Sequence, residues 1–548
     1  MKVDKLHIRS RFKNLENVTV DFDEDNLMTV IVGQNGSGKS NVIEALVAIF
    51  RNLDLGEAPP FSYLIVYRLG QRDTDNWREI TIDADPLRGT LTKQYITSVK
   101  LLETSNPNDS ISKDNRQNIP FSQVKRDNKT GKANFLPNFL FAYYSGPSDR
   151  LEKYFRKHRD AFYKNLLYSK TSLESDIRPL FYAKSNHSQF VLMAFFLSKG
   201  MESERAFLHQ HLGITGLDSI HFVIRKPEWA KARDKDDIFW GADGVVRDFL
   251  NLLYPQALAP VKVTRNENTS LTGKHIKNEF IHLFLPDLES LQNFAGNLRP
   301  DIFFKMLEST LLSEIISEVH IRVNVISSDT PLTFNELSEG EQQLLTVLGL
   351  LKFTGGKDSL FLLDEPDTHL NPSWAVKYLK FLREFVPNHE TSHLLMVTHH
   401  PLAIAELEKQ QVQVMWRDET HQAHAQEPEE SPRGMGYAGI LTSDMFGLRT
   451  SLDNPTEKLV RLRQKFTQKV HLSEIQKGRL KKIDNAIKLL GFTTSHWDKE
   501  YGEYLRLRKQ LGDEIFEKQS NPDVKRLREK RAKEIITVLL KQESEREE

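Results

Sequence analysis

The 548-residue chain contains no cysteine. Disulfides and thiolate metal sites are therefore chemically excluded, and a reducing compartment suits it. Long apolar runs are also missing. No stretch approaches the ~20 residues that a bilayer span needs, which excludes a membrane-embedded transporter. Met1-Lys2-Val3-Asp4 is not the start of a secretory leader, so a cytoplasmic location is expected. Net charge is absent too, because 75 Lys and Arg offset 75 Asp and Glu. Bulk charge thus points to no partner. What remains is globular composition, 39% hydrophobic and 27% charged, in a chain long enough for several buried cores.

The zero balance hides an asymmetry. Residues 454–548 carry 23 Lys and Arg against 16 Asp and Glu, so the rest of the chain is acidic by the same margin. Such a basic tail suits an acidic protein surface or nucleic acid, or is simply a solvated helical face. Its basic clusters include Arg461, Arg463, Lys465, Lys525, Arg526 and Arg528. Apolar residues at helical spacing include Ile487, Leu489 and Leu490, then Ile535, Ile536 and Leu539.

Short strands are expected at 3–8 and 17–22. Leu27 to Val32 is a continuous apolar run ending at Gly33, the pattern of a strand buried on both faces. Ser40 to Phe50 carries a helical apolar set. Residues 102–134 are polar and rich in turn formers, so a surface loop or hairpin is expected. Phe135 to Tyr144 reads as a buried strand stopped by Ser145-Gly146-Pro147. Helical patterns dominate from about 148 to 318, interrupted by short strand-like pieces. Strands resume at 320–325, 359–363 and 393–397. Gln426 to Gly436 reads as a linker, and charged helices follow Pro455.

Gly33-Gln34-Asn35-Gly36-Ser37-Gly38-Lys39-Ser40 has the full P-loop spacing, after a buried strand and before a helix. Its glycines let backbone amides curl around phosphate oxygens, and the helix N-terminus adds partial positive charge. Lys39 would reach the β- and γ-phosphates of ATP, and the Ser40 hydroxyl would ligate Mg²⁺. Leu360 to Leu363 is an apolar strand that ends in Asp364 and Glu365. Asp364 is the candidate metal carboxylate and Glu365 the candidate general base for an attacking water. Ser338 and Glu341 have the spacing of a helix capping box. A further strand ends at His399-His400-Pro401.

In their chain order, Gly33–Ser40, then Ser338–Glu341, then Asp364-Glu365, then His399, the four motifs resemble those of the ATP-binding-cassette ATPases. The resemblance implies that Ser338, Gly340 and Glu341 form a signature motif touching ATP held by a second copy, so a head-to-tail homodimer or higher oligomer is expected. It also implies that His399 senses the γ-phosphate, that Asn371 lies in the D-loop, and that Gly33, Asn35, Gly36, Ser37, Gly38, Lys39, Ser40 and Asn41 line the nucleotide. Cassette ATPases place a glutamine at the end of a strand between P-loop and signature. Here that strand ends in Ser145-Gly146.

Ile8 to Leu15, Ser40-Asn41, and Asp364-Glu365-Pro366 through Pro372 resemble the recombination and chromosome-maintenance branch, which includes RecF and the SMC proteins. No heptad array makes a coiled-coil arm. No D-x-D pair follows His399, which argues against a TOPRIM nuclease of the OLD type. The early pairs Asp73-Thr74-Asp75 and Asp83-Ala84-Asp85 read as loop charges. Length, the Tyr144-Ser145-Gly146-Pro147 turn and the helical tail are similar to the PtuA-type ATPases of Septu and retron-associated anti-phage systems. That resemblance implies ATP and Mg²⁺ as cofactors and an HNH nuclease (PtuB-like) as partner. It implies control by a retron reverse transcriptase and its RNA–DNA product where one is present, and contact with nucleic acid. No nuclease activity of the chain itself is expected. The alternatives are a RecF-like repair ATPase clamping DNA directly and an ATP-locked scaffold with little turnover.

The expected fold is α/β: a RecF/SMC-like ABC-type P-loop head with a helical lobe and a C-terminal helical extension. The expected boundaries are 1–147 for the lobe holding the P-loop and 148–355 for a mostly helical lobe ending in the signature. The Walker B, D-loop and switch-histidine segment follows at 356–425, a linker at 426–454, and the basic extension at 455–548.

Overall fold

The computed structural model describes residues 1–490 except 73, 103–114, 128–131, 168–178, 185, 198–201, 231–236, 269–274, 357, 449 and 468–472. The chain divides into two compact units, Met1–Arg449 and Thr450–Glu548.

The first unit is built on a seven-stranded sheet. Its spatial order is Ala423–Gln426, Val412–Arg417, Met28–Gly33, Ser392–Val397, Ser359–Asp364, Phe139–Tyr144, Leu180–Tyr182. Every neighbouring pair is parallel except the edge hairpin of Val412–Arg417 with Ala423–Gln426. Register aligns the strand ends in one row: Asp364 pairs with Val397 and with Tyr144, and Val397 pairs with Ile31. Loops leaving these ends therefore converge at one crevice, as open parallel sheets require.

The strands Met28–Gly33, Ser359–Asp364 and Ser392–Val397 are buried at every residue. Alternate side chains feed opposite cores, which is why their sequences are apolar without a period of two. Phe361 and Leu363 face one core, Leu360 and Leu362 the other. The second core lies under a six-stranded antiparallel sheet whose central strands are Tyr63–Leu69 and Arg78–Ala84. It also takes Val42, Ile43, Leu46, Val47 and Phe50 from the helix Lys39–Leu55.

His393 joins the two sheets. Its Nδ1 accepts the Val3 N–H at 2.9 Å, so Nε2 carries the proton and faces Thr29 Oγ1 at 3.3 Å. Complete burial holds its pKa well below 6.5, so the ring is neutral in the folded protein.

The expected helices over 148–318 are present, but the strand-like pieces between them are longer than expected and form a sheet. This region contributes Ile214–Arg225, Leu258–Asn268 and His275–Leu285 to a five-stranded antiparallel sheet completed by Ile316–Val325 and Ser328–Thr333. Register shifts between Ile214 and Gly216 and between Leu217 and Ser219 break the alternation that would have marked the first strand. Helices do pack beside it, among them His187–Phe195, Gly244–Leu253 and Pro300–Leu312.

The expected linker at 426–454 is also corrected. Gly436–Thr442 is a helix, and Ile440 and Met445 are fully buried in the first core. Its Pro and Gly residues shape turns of a packed segment. In the second unit, the helices Asn454–Thr467 and Glu474–Leu489 pack together, with Arg463 Nε donating to Asp484 at 2.6 Å. The expected basic and apolar clusters beyond 490 lie outside the described residues. No helix among the described residues is long and apolar enough to cross a membrane.

His393 predicts a pH dependence. Below 6.5 the unfolded ring takes up a proton that the folded ring refuses. Stability from this site is therefore full above pH 6.5 and falls by about 1.4 kcal/mol per unit below it. Chemical unfolding from pH 7.5 to 5.5 should show a shallower acid loss in His393→Asn than in the wild type. Equal slopes would contradict the neutral-histidine assignment.

Candidate active site

The P-loop needs backbone that L side chains resist. Gly33, Gly36 and Gly38 have φ of 132°, 81° and 111°. A Cβ on Gly33 would lie 2.0 Å from the Met415 carbonyl oxygen, so the loop also needs glycine to pass the neighbouring strand. Gly38 ends the loop and the 17-residue helix Lys39–Leu55 begins, with no acidic residue in its first turn. Its N-terminal partial charge is thus left for an anion. The hydroxyl of Ser37 is buried without a partner.

Lys39 is buried beneath this loop. Its ammonium donates to the carbonyl oxygens of Gly33 at 2.8 Å and Gln34 at 2.9 Å. Burial lowers its pKa to about 8, against the pull of Glu365 and Asp364. Ser40 Oγ donates to Asp364 Oδ1 at 2.8 Å, joining the P-loop helix to the end of the third motif's strand. Burial raises Asp364 to about 6, and its Oδ2 has no partner. A buried carboxylate edge without a partner, beside a hydroxyl, fits a hard divalent cation such as Mg²⁺.

Glu365 follows in left-handed backbone, φ 53°. Its N–H donates to the Val397 carbonyl at 2.9 Å, and its carbonyl accepts from Thr368 Oγ1 at 2.8 Å and Gln343 Nε2 at 3.4 Å. These bonds hold a conformation that a free glutamate avoids. Its carboxylate meets His399 Nε2 at 3.1 Å. That hydrogen bond is the largest cause of its lowered pKa, with further help from Lys39 and Arg150. Glu365 is therefore ionised at neutral pH. Lys39, Ser40, Asp364, Glu365 and His399 thus form one continuous group. Asn35 and Gly36 are exposed on its P-loop side.

The signature residues stand apart from that group. Ser338 Oγ and N–H both donate to Glu341, at 2.8 and 2.7 Å, and the expected capping box is formed. Ser338 is exposed at the start of Glu339–Thr354. A Cβ on Gly340 would lie 2.5 Å from the His369 carbonyl oxygen, so this helix start presses on the segment after Glu365. Gln343 reinforces that seam by accepting the His369 N–H at 3.2 Å. Asn371 caps the helix Pro372–Phe385 through the Trp374 N–H.

Sequence reasoning overlooked Arg150 and Glu44. Glu44 is fully buried in the P-loop helix, yet four groups converge on it. They are Tyr154 OH at 2.9 Å, Arg150 at 3.2 Å, Lys153 at 3.4 Å, and Lys13. Arg150 also donates to Asn41 Oδ1 at 2.8 Å. Asn41 in turn donates to Asn14, which donates to the Gly36 carbonyl at 3.0 Å. The carboxamide of Asn41 is thus committed to bracing the loop. A glutamate at helical spacing inside an apolar face was the one available signal.

A family model described as an AAA ATPase domain matches residues 1–191. A second, described as "AAA domain, putative AbiEii toxin, Type IV TA system", matches residues 209–405. The Septu protein PtuA of Bacillus mycoides (strain KBAB4) is 25% identical over 203 residues, which cover 35% of this chain and 28% of that protein. The Septu protein PtuA of Bacillus thuringiensis is 27% identical over 143 residues, covering 23% of this chain and 35% of that protein. The chain is thus similar to PtuA over part of its length, and two ATPase-domain models match separate parts of it. The match spans about a third or less of the length of these curated relatives. Among solved structures, the SMC head domain from Thermotoga maritima is 13% identical with a TM-score of 0.31, covering 78% of this chain and 100% of that one. Stu0660 of Streptococcus thermophilus is 11% identical with a TM-score of 0.25, covering 93% and 100%.

Lys39→Ala should lower Mg²⁺–ATP affinity by about a hundredfold, because it removes charge-assisted contacts that no neighbour replaces. The melting temperature should change little. Isothermal titration with an affinity unchanged from wild type would remove Lys39 from the nucleotide site.

Proposed function

We propose that the chain is the ATP-binding and ATP-hydrolysing subunit of a bacterial antiviral defence complex. The observation that carries this reading is the continuous group of Lys39, Ser40, Asp364, Glu365 and His399 in a chain similar to PtuA over part of its length. Lys39 gives up its loop carbonyls to bind the β- and γ-phosphates. Ser40 and Asp364 would hold Mg²⁺, which would supply charge neutralisation at the phosphates. Glu365 accepts a proton from water, and the water oxygen bonds to the γ-phosphorus as the bond to the bridging oxygen breaks. His399 keeps the Glu365 carboxylate oriented. ADP and phosphate leave.

Two copies would complete each other. The exposed Ser338 hydroxyl and the N-terminus of Glu339–Thr354 are suited to the γ-phosphate on a second copy's P-loop, as head-to-tail pairing requires. The partner would be a separate HNH nuclease, PtuB-like, gated by nucleotide state. Control by a retron reverse transcriptase and its RNA–DNA product would apply where they are encoded alongside. The second unit is the candidate dock for that partner. In it Arg461 and Arg463 are already paired with Glu457 and Asp484, while Ile475 and Leu489 are exposed.

Glu365→Gln keeps the shape of the side chain and loses the basic oxygen. It should bind ATP, release no phosphate above background, and fail to protect cells from phage when expressed from its native operon. Wild-type turnover in this variant would place the base elsewhere. Ser338 gives a separate test. Mixing Lys39→Ala with Ser338→Arg chains, each inactive alone, should restore about one working site per heterodimer. Heterodimers that form but stay inactive would refute the shared site.

A further inference from the structure

We propose that Arg150 is a positioning residue that makes this site favour a nucleoside triphosphate over a diphosphate. The proposal rests on the nucleotide reading of the P-loop given above. Arg150 lies six residues beyond Tyr144, the residue in register with Asp364. Its guanidinium carbon is 5.6 Å from the centre of the Tyr144 ring. From there it donates to Asn41, the residue after Ser40, at 2.8 Å. It therefore bridges the helix that carries Ser40 and the strand next to the one that carries Asp364. Its positive charge also reaches the carboxyls of both Asp364 and Glu365.

The charge around Glu44 does not close. Lys13, Arg150 and Lys153 share one buried carboxylate, and the Tyr154 hydroxyl occupies part of it. Glu44 alone cannot neutralise three positive charges, so the Arg150 charge is only partly spent there and also acts on Asp364 and Glu365. The Arg150 Nε is buried and has no partner. A diphosphate on the P-loop leaves the ground beside Glu365 and His399 without new negative charge. A terminal phosphate brings such charge there, within the field of Arg150. The guanidinium would then stabilise the triphosphate state while still bracing Asn41. Lys153 meets the other oxygen of Glu44 at 3.4 Å and lies over the Tyr154 ring, and neither contact involves Asn41, so it serves as a control.

The test measures dissociation constants for Mg²⁺–ATP and Mg²⁺–ADP, and phosphate release, in the full chain. Arg150→Ala should shrink the ATP-over-ADP preference about tenfold, with ADP affinity within about threefold of wild type. Arg150→Lys should restore part of the preference, since it keeps the charge and loses the fork. Lys153→Ala should keep the wild-type ratio. Should Arg150→Ala fail to fold, Arg150→Met keeps the apolar stem and answers the same question. An unchanged ratio in the folded Arg150 variants overturns the proposal. Equal losses in Arg150→Ala and Lys153→Ala also overturn it, because the effect would then belong to Glu44. A wild type that binds both nucleotides but releases no phosphate defeats the hydrolysis reading alone, and the ratio still decides Arg150. A wild type that binds neither defeats both.

Discussion

One hydrogen bond, from Ser40 to Asp364, organises this molecule. It joins residues 324 positions apart. It can form only if the strand before the P-loop and the strand ending in Asp364 finish in the same plane. The strand Ser392–Val397 between them fixes that plane by pairing with both. Burying a carboxylate there is costly, as its raised pKa shows, and the cost has a use. An unpartnered oxygen in a dry crevice is prepared to take a cation.

The second constraint is backbone strain at Glu365. Left-handed glutamate is held by bonds from three directions: Val397, Thr368 and Gln343. Gln343 belongs to the helix Glu339–Thr354, whose first turn also presses on His369. The start of that helix and the carboxylate beside Asp364 therefore form one mechanical piece. A force on the exposed Ser338 end has a short path to the backbone of Glu365. Polar contacts of this kind transmit displacement because the packed surroundings deform little.

The central motifs were legible in the sequence because each is local. A P-loop requires glycines at fixed offsets, a strand buried on both faces is apolar throughout, and a capping box is written in four residues. The strands 28–33, 359–364 and 392–397 appeared where their sequences placed them. The five-stranded sheet was harder to read. Its bulged strand Ile214–Arg225 has no clean period, and its outer face carries Thr215, His221 and Arg225. The segment 426–454 misled for the opposite reason. Its Pro and Gly suggested a linker, while two residues, Ile440 and Met445, were enough to pull it into the core.

By itself the sequence determined the chemistry available: a phosphate loop, two carboxylates at a strand end, a histidine after another strand, and no thiol. These follow from residue identity and near-neighbour spacing. Tertiary structure alone decided which groups share charge. Glu44 gathers Lys13 from the N-terminal loop and Arg150, Lys153 and Tyr154 from the segment after the strand Phe139–Tyr144. No spacing rule links those positions, because they meet through sheet order and the packing of one helix between two sheets. Electrostatic interaction depends on distance and burial, and a linear sequence specifies neither until the chain has folded.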